Sequence, residues 1–314
     1  MAISERKIIA SICKGIKNPQ EVLIGASKDD AACIRAGTKI LAITSDIMFA
    51  NSHFPKKMPL ASIGRKAVVA NISDLASMGA KPKYLVLSLG IPRGFTGLSR
   101  VILGIKKTCA KYGAIIIGGD TKRSRELTIS ICAIGEIEGR TLTRNNAKSG
   151  DVVAVTGNIG SAYLGLHSLL YNKSASRLLV NAFNNPKARV EEGLILSRFS
   201  SRASAMDITD GLLYTASEIA RESKVGIKID PKLITISRLA KIYAKKNKIS
   251  FTHLINTGED YELLVCLSEN DFKKLNKRAG LIRIGKVIKS KGVYLDNNPI
   301  SERGYDAFRR NRRT

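Results

Sequence analysis

The sequence has no tryptophan, and aromatic residues make up only 5% of its 314 residues. Proteins that read single strands or RNA stack bases on exposed rings, and this chain has few rings to offer. No helix-turn-helix, zinc-finger or ribonucleoprotein motif takes their place. Five cysteines, Cys13, Cys33, Cys109, Cys132 and Cys266, are odd in number, scattered through apolar segments and never in C-x-x-C spacing. Neither a disulfide framework nor a zinc site is indicated, and they read as buried thiols. No apolar run approaches the roughly 18 residues that span a bilayer. The start, MAISERKIIASICKG, has neither a signal-peptide core nor a cleavage site, so the expectation is a cytoplasmic protein with no membrane partner.

Acid is the other scarcity. Asp and Glu number 26 against 52 Lys and Arg, a formal charge of +26. Such a field attracts nucleic acid, anionic membranes or phosphorylated metabolites, and its sign alone does not choose among them. Most of the cations are single residues along helical faces. Only KIYAKKNK (residues 241–248) and RRNRR (residues 309–313) cluster, which fits a solvated basic surface, the tail being most simply a frayed end.

Length and composition suit two domains, each with its own core. KILAITSD, YLVLSLGIP, AIIIGGD, LTISICAIGEI and DVVAVTGNIG read as strands bounded by Gly or acidic turns. Between them Leu60, Ile63, Ala67, Asn71, Leu75 and Met78 recur at helical spacing, as do Leu98, Val101, Ile102, Ile105 and Cys109. This is an α/β or α+β pattern. The polar stretch TRNNAKSGD (residues 143–151) reads as the connection between domains.

Where the scarce carboxylates sit is informative. Ten of the 26 acids fall in six short motifs: Asp29 and Asp30 in KDDAA, Asp46 in ITSD, Asp74 in NISD, Asp120 in IGGDT, Asp207 and Asp210 in AMDITDG, and Glu259, Asp260 and Glu262 in TGEDYE. The motifs hold almost no Lys or Arg. A half-buried carboxylate without a counter-charge is costly, and divalent cations resolve the deficit, since oxygen-only ligands are what Mg²⁺ prefers. Each motif also has a structural explanation. Asp207 and Asp210 could be a helix N-cap and its partner, Asp46 and Asp120 could end strands, and Asp74 could be a surface residue. TGNIGSAYLG (residues 156–165) could cradle a phosphate or be a tight strand-to-helix turn. No Walker-type phosphate loop is present.

The order DDAA, ITSD, HF, NISDLASMGAKP, IGGDT, VTGNIG, MDITDGL and GEDYELL resembles the thiamine-monophosphate kinases. Their superfamily also contains aminoimidazole-ribonucleotide synthetase, selenophosphate synthetase and a hydrogenase-maturation ATPase. The resemblance runs from Asp29 to GYDAF at residues 304–308. It departs at GASKDD, where Ser27 and Lys28 replace a glycine-rich lead, and at TGED, where Thr257 replaces a glycine.

The resemblance implies a two-domain aminoimidazole-ribonucleotide-synthetase-like α/β (α+β) fold. An amino-terminal domain (residues 1–147) would bind metal and ATP and pair in a homodimer through a β-barrel-like interface. A carboxyl-terminal α/β domain (residues 148–314) would complete the cleft. The implied reaction is Mg²⁺-dependent, in-line transfer of the γ-phosphoryl of ATP to thiamine monophosphate, giving thiamine diphosphate. Carried over by motif, Asp30, Thr44, Ser45, Asp46, Asp74, Asp120, Asp207 and Asp210 are Mg²⁺ ligands, with Asp74, Asp120 and Asp210 at the catalytic centre. Gly119, Asp120, Arg144 and Thr209 would contact nucleotide. His53, Glu259 and Tyr305 would contact the thiamine phosphate, although His53 in NSHFP also fits a solvent-facing loop and Tyr305 could pack the chain end. Two other functions remain open: a different ATP-dependent reaction within the superfamily, and a basic nucleic-acid-binding protein. Specific nucleic-acid binding is not expected.

Overall fold

The computed structural model describes residues 5–300; Tyr305 and the GYDAF segment lie outside the described residues. Two sheets organise the chain. The first contains β1 (Val22–Ile24), β2 (Ala32–Ala36), β3 (Lys39–Phe49), β4 (Lys81–Pro92), β5 (Ile115–Ser124) and β6 (Thr128–Ile137), in the order β1-β2-β3-β6-β4-β5. The second contains β7 (Val152–Val155), β8 (Ala203–Asp207), β9 (Gly226–Ile229), β10 (Leu263–Leu267), β11 (Ile282–Ile288), β12 (Gly292–Leu295) and β13 (Asn298–Ile300), in the order β13-β12-β9-β11-β7-β10-β8. Each sheet is antiparallel except for one parallel pair, β4 with β5 and β12 with β9. The strands and the helix expected over residues 60–78 are present.

The helices, in chain order, are α1 (Glu5–Cys13), α2 (Ala50–His53), α3 (Leu60–Ser77), α4 (Leu98–Tyr112), α5 (Ser161–Leu170), α6 (Arg177–Asn184), α7 (Val190–Phe199), α8 (Leu212–Ser223), α9 (Arg238–Lys246), α10 (Phe251–Ile255) and α11 (Glu269–Leu275). A 3₁₀ turn at Arg144–Asn146 lies between the two sheets in sequence.

Along β6 burial alternates strictly, so Ile129, Ile131 and Ala133 face the helices while the intervening residues face outward. Helix α3 is buried almost all round and meets α4, β3 and β6 on one side, α7 and β8 on the other. A helix apolar on nearly every side has no solvent face. The first core accordingly runs on into the second half of the chain, taking in Phe183, Ala188, Val190 and Tyr261. Asn71 and Asp74 therefore stand where the two halves meet.

Candidate functional site

Period-two alternation puts Thr44 and Asp46 of β3 on the helix-facing side, opposite Ala133 and Ile131, and turns Ser45 to the outer face. Helix α3 meets them there. Asn71 accepts the Asp46 amide through Oδ1 at 3.1 Å and donates to the Ala67 carbonyl at 3.1 Å, so its amide joins helix to strand. Thr44 Oγ1 donates to Asp74 Oδ2 at 2.6 Å. From the other half, β8 ends on Asp207, 2% exposed, against α3. Asp210 is half-buried in the turn that follows. Helix α8 begins after Gly211, which occupies the N-cap position. The acids of DITDG are thus not the cap and its partner.

Asp46, Asp74 and Asp207 meet the same field. Burial, and then the charge of Asp30, push the Asp46 carboxyl upward. Asp74 is raised well above the usual range by burial, then by Asp46, Asp207 and Asp30. Asp207 is raised likewise by burial and then Asp30. Four acids from β3, α3, β8 and the segment before β2 therefore share one region. Among the described residues none of Asp46, Asp74 and Asp207 has an ion-pair partner.

Several of the other acids have counter-charges supplied from far along the chain rather than from within the motifs. Arg144 is ion-paired with Asp30, lies 3.6 Å from Asp29 and 3.8 Å from Glu218, and donates its backbone N–H to Asp29 at 3.0 Å. Even so, burial and then Asp30 lift Asp29 to about 7. Glu262 pairs with Arg189 and accepts from Thr156 Oγ1 at 2.6 Å. Asp260 accepts from Gly160 N at 3.0 and 2.9 Å, and burial raises it to about 8. The amide end of α5, which could have cradled a phosphate, holds this carboxylate instead.

The TGED turn is packed backbone to backbone on DITDG. The Glu259 amide donates to Thr209 O at 2.9 Å and the Tyr261 amide to Ile208 O at 3.0 Å. Gly258 has φ +80°, and a Cβ there would sit 1.9 Å from Thr209 O, so only glycine fits. Thr257, in place of a second glycine, donates to His253 O at 2.7 Å without disturbing the turn. Ser27, in the altered GASKDD lead, adopts a left-handed φ of +60° that glycine would take more easily.

Glu259 reaches across to the first half of the chain. Lys66 of α3 donates to Glu259 Oε1 at 2.8 Å and to His53 O at 3.4 Å. His53 is half-buried rather than solvent-facing, and burial lowers its pKa. His53 and Glu259 are thus brought together with Lys66 between them. Lys66 was missed in the sequence. The signal was available: Lys66 falls between Ile63 and Ala67, on the apolar spacing of the helix, and is as anomalous there as Asn71 or Asp74.

Gly119 and Asp120 lie apart from the cluster. Both are on β5, the outer strand of the first sheet. Gly119 pairs with Leu87, so close that a Cβ would sit 1.7 Å from the Leu87 carbonyl oxygen. Asp120 continues the row Ile47, Ser130, Ser88, three strands from β3. That separation is about 14 Å at the usual strand spacing. Asp120 is exposed, with Lys122 at 3.4 Å. Among the described residues, no three His, Cys, Asp or Glu side chains form a ready-made metal cage. The donor set nonetheless fits Mg²⁺. It consists of oxygens only, and Asp30 Oδ2 and Asp207 Oδ2 are buried without a hydrogen-bond partner, the state expected of ligands shared with waters and substrate phosphates.

The two halves of the chain match the two domains of the AIR synthase related proteins. Residues 28–137 match their N-terminal domain and residues 148–296 their C-terminal domain. The thiamine-monophosphate kinase of Methanopyrus kandleri is 33% identical over 277 residues, covering 88% of this chain and 87% of that one. That of Pyrococcus horikoshii is 34% identical over 278 residues, with the same coverage. The chain belongs to the thiamine-monophosphate kinase family. A solved structure of AaThiL complexed with AMPPCP and TMP superposes with a TM-score of 0.88 at 28% identity, covering 97% of both chains. The hydrogenase maturation protein HypE, at 20% identity and a TM-score of 0.72, shares the fold over 88% of this chain and 87% of that one.

Proposed function

We propose that this protein transfers the γ-phosphoryl group of ATP to the phosphate of thiamine monophosphate, releasing thiamine diphosphate and ADP. The observation that carries the reading is the convergence of Asp30, Asp46, Asp74 and Asp207 from both halves of the chain, three of them without an ion-pair partner among the described residues. The relatives named for this activity, and the neighbour solved with AMPPCP and TMP, support it.

The acceptor is a phosphomonoester already ionised near neutral pH, its second pKa being about 6. One of its oxygens forms the new bond to the γ-phosphorus as the bond to the β,γ-bridging oxygen breaks, and ADP leaves with that electron pair. No strong base is required, and positioning with charge neutralisation supplies the rate. Asp30, Thr44, Asp46, Asp74, Asp207 and Asp210 are the residues that would hold Mg²⁺, and bound Mg²⁺ offsets the charge brought together by two phosphates. Asn71 orients the Asp46 backbone, and Thr44 fixes one Asp74 oxygen. Arg144 holds Asp30 in place and offers a cation on the nucleotide side. Thr209 on the DITDG turn would contact the nucleotide, and Glu259 on the TGED turn packed against it, together with His53, would contact the thiamine end.

The proposal includes a homodimer. Ile47, Phe49 and Tyr84 are exposed on the outer face of the first sheet, and β5 ends it with Ile115 and Ile117 at 61% and 57% exposure. An unpaired, apolar edge strand invites pairing with another strand. Pairing there would also carry Asp120 and Gly119 toward the cluster of a second copy. Incubation with ATP, Mg²⁺ and thiamine monophosphate, with separation of products, tests the activity. Thiamine diphosphate formed in step with ADP is expected. ADP release without it, or no product at any Mg²⁺ concentration, refutes the reading.

A further inference from the structure

The buried cation of α3 has no place in the phosphate chemistry above. Lys66 is 1% exposed, and a lysine is almost never fully buried unless paired. Its three N–H donors face three different partners: Glu259 Oε1 at 2.8 Å, the His53 carbonyl at 3.4 Å, and the ring of Phe183, whose centroid is 4.3 Å from Nζ. Glu259 and Phe183 come from the second half of the chain, His53 and Lys66 from the first. Only one oxygen of Glu259 is engaged. The other, Oε2, is buried and has no hydrogen-bond partner, whereas a carboxylate recruited solely to neutralise Lys66 would be expected to satisfy both. The backbone that presents it is also unusual, since Glu259 and Tyr261 adopt φ of +70° and +54°. Left-handed non-glycine residues persist where the surroundings over-determine them.

We propose that Lys66 is a positioning residue for substrate recognition. It clamps Glu259 Oε1 across the junction of the two halves, so that Oε2 is held as a fixed acceptor for a nitrogen donor of the amino-pyrimidine-bearing, cationic substrate. This rests on the thiamine-monophosphate reading above and adds to it a residue that touches no phosphate. The clamp acts through Glu259, so its loss falls on the thiamine end and spares the nucleotide end, which is built from Asp30, Asp46, Asp74 and Asp207.

The test is a cycle of Lys66→Met, Glu259→Gln and the double variant, reading KM for thiamine monophosphate, KM for ATP, kcat and melting temperature. Met keeps the length of the side chain without its charge. Lys66→Met is expected to raise KM for thiamine monophosphate about tenfold or more, the scale of a charge-assisted hydrogen bond, with KM for ATP within about threefold. The effects should not add: the double variant should match Glu259→Gln within about twofold, because Lys66 has nothing left to position. A further rise in KM for thiamine monophosphate from Glu259→Gln to the double variant overturns the proposal. So does an equal loss for both substrates that tracks melting temperature, the result of a purely structural staple. Should Lys66→Met alone fail to fold, the comparison of Glu259→Gln with the double variant, which removes both charges together, still decides. Wild-type protein that makes no thiamine diphosphate overturns the underlying reading as well, whereas normal wild-type turnover with an unaltered Lys66→Met overturns the clamp alone.

Discussion

Replacing Asp74 by Asn should make the metal-free protein more stable while removing most of its activity. The carboxyl is raised well above its usual range by burial and by Asp46, Asp207 and Asp30, so keeping it ionised costs the folded state free energy. At an effective dielectric near 20, one like charge about 6–8 Å away costs roughly 2–3 kcal/mol. The cluster sheds part of this by retaining protons, and Asn keeps an acceptor for the Thr44 hydroxyl. A net gain of about 1–3 kcal/mol, or roughly 2–10 °C in melting temperature, is expected in chelator at pH 8. A carboxyl whose folded pKa exceeds its unfolded value near 3.9 favours the folded state at low pH and loses that contribution as pH rises toward the folded pKa. The advantage of Asn should therefore be small near pH 4 and grow upward. With saturating Mg²⁺ the order should reverse, since wild type gains binding energy that Asn does not. Turnover should fall about 10²–10³-fold. Thermal scans of both proteins at pH 4.5 and 8, with chelator and with Mg²⁺, check this. A variant less stable than wild type in chelator at pH 8, or one with near-normal turnover at limiting Mg²⁺, shows that Asp74 is a structural residue.

In wild-type protein without metal, Asp29 and Asp260, raised to about 7 and about 8, should withdraw stability as pH climbs from about 4 through 8; a melting temperature that rises over that range contradicts the burial of these carboxyls. Arg144→Met strands Asp29, Asp30 and Glu218 and should cost about 3–5 kcal/mol, lowering the melting temperature by roughly 6–20 °C, and an unchanged value would mean that the three acids find other partners. Mixing inactive Asp74→Asn with inactive Asp120→Asn should restore activity if Asp120 serves the site of a second copy, and no recovery after subunit exchange refutes that. Binding to duplex or single-stranded nucleic acid should be weak, indifferent to sequence and steeply lost with salt; tight binding at physiological salt, measured by fluorescence anisotropy, would give the basic surface a function of its own.

Much of this was legible in the sequence. The apolar alternation of LTISICAIGEI marks the residues of β6 that face α3, and the helical spacing through Asn71 puts it on a buried helix with Asp74 one turn on. What local sequence could not show was pairing across the chain. The acidic motifs hold almost no cations, which reads as a set of unpaired acids, but Arg144, Arg189 and Lys66 arrive from elsewhere to meet Asp30, Glu262 and Glu259. The same limit explains TGNIGSAYLG. A glycine-rich helix start is open to any anion, and only the fold brings Asp260, a hundred residues later, to occupy it. Asp120 shows another limit: its motif resembles the others, and only the fold shows that its strand lies at the edge of the sheet, apart from the cluster of its own chain.

Those pairings make the unpaired acids more informative than scarcity alone did. The chain carries twice as many cations as anions, so an acid without a cation cannot be explained by a shortage of partners. Several other buried carboxylates are neutralised by arginine: Asp151 is chelated by Arg202 through two bonds of 2.6 Å, Glu218 by Arg221 at 2.6 and 2.7 Å, and Glu262 by Arg189. Asp46, Asp74 and Asp207 are left out, though they are as enclosed and mutually repulsive. A Lys or Arg at a neighbouring position on α3 or β8 would relieve that repulsion. The strain is therefore specific to this location: Asp46, Asp74 and Asp207, drawn from both halves and without an ion-pair partner among the described residues, have carboxyls raised by burial and by neighbouring acids, and a cation from outside would relieve that repulsion.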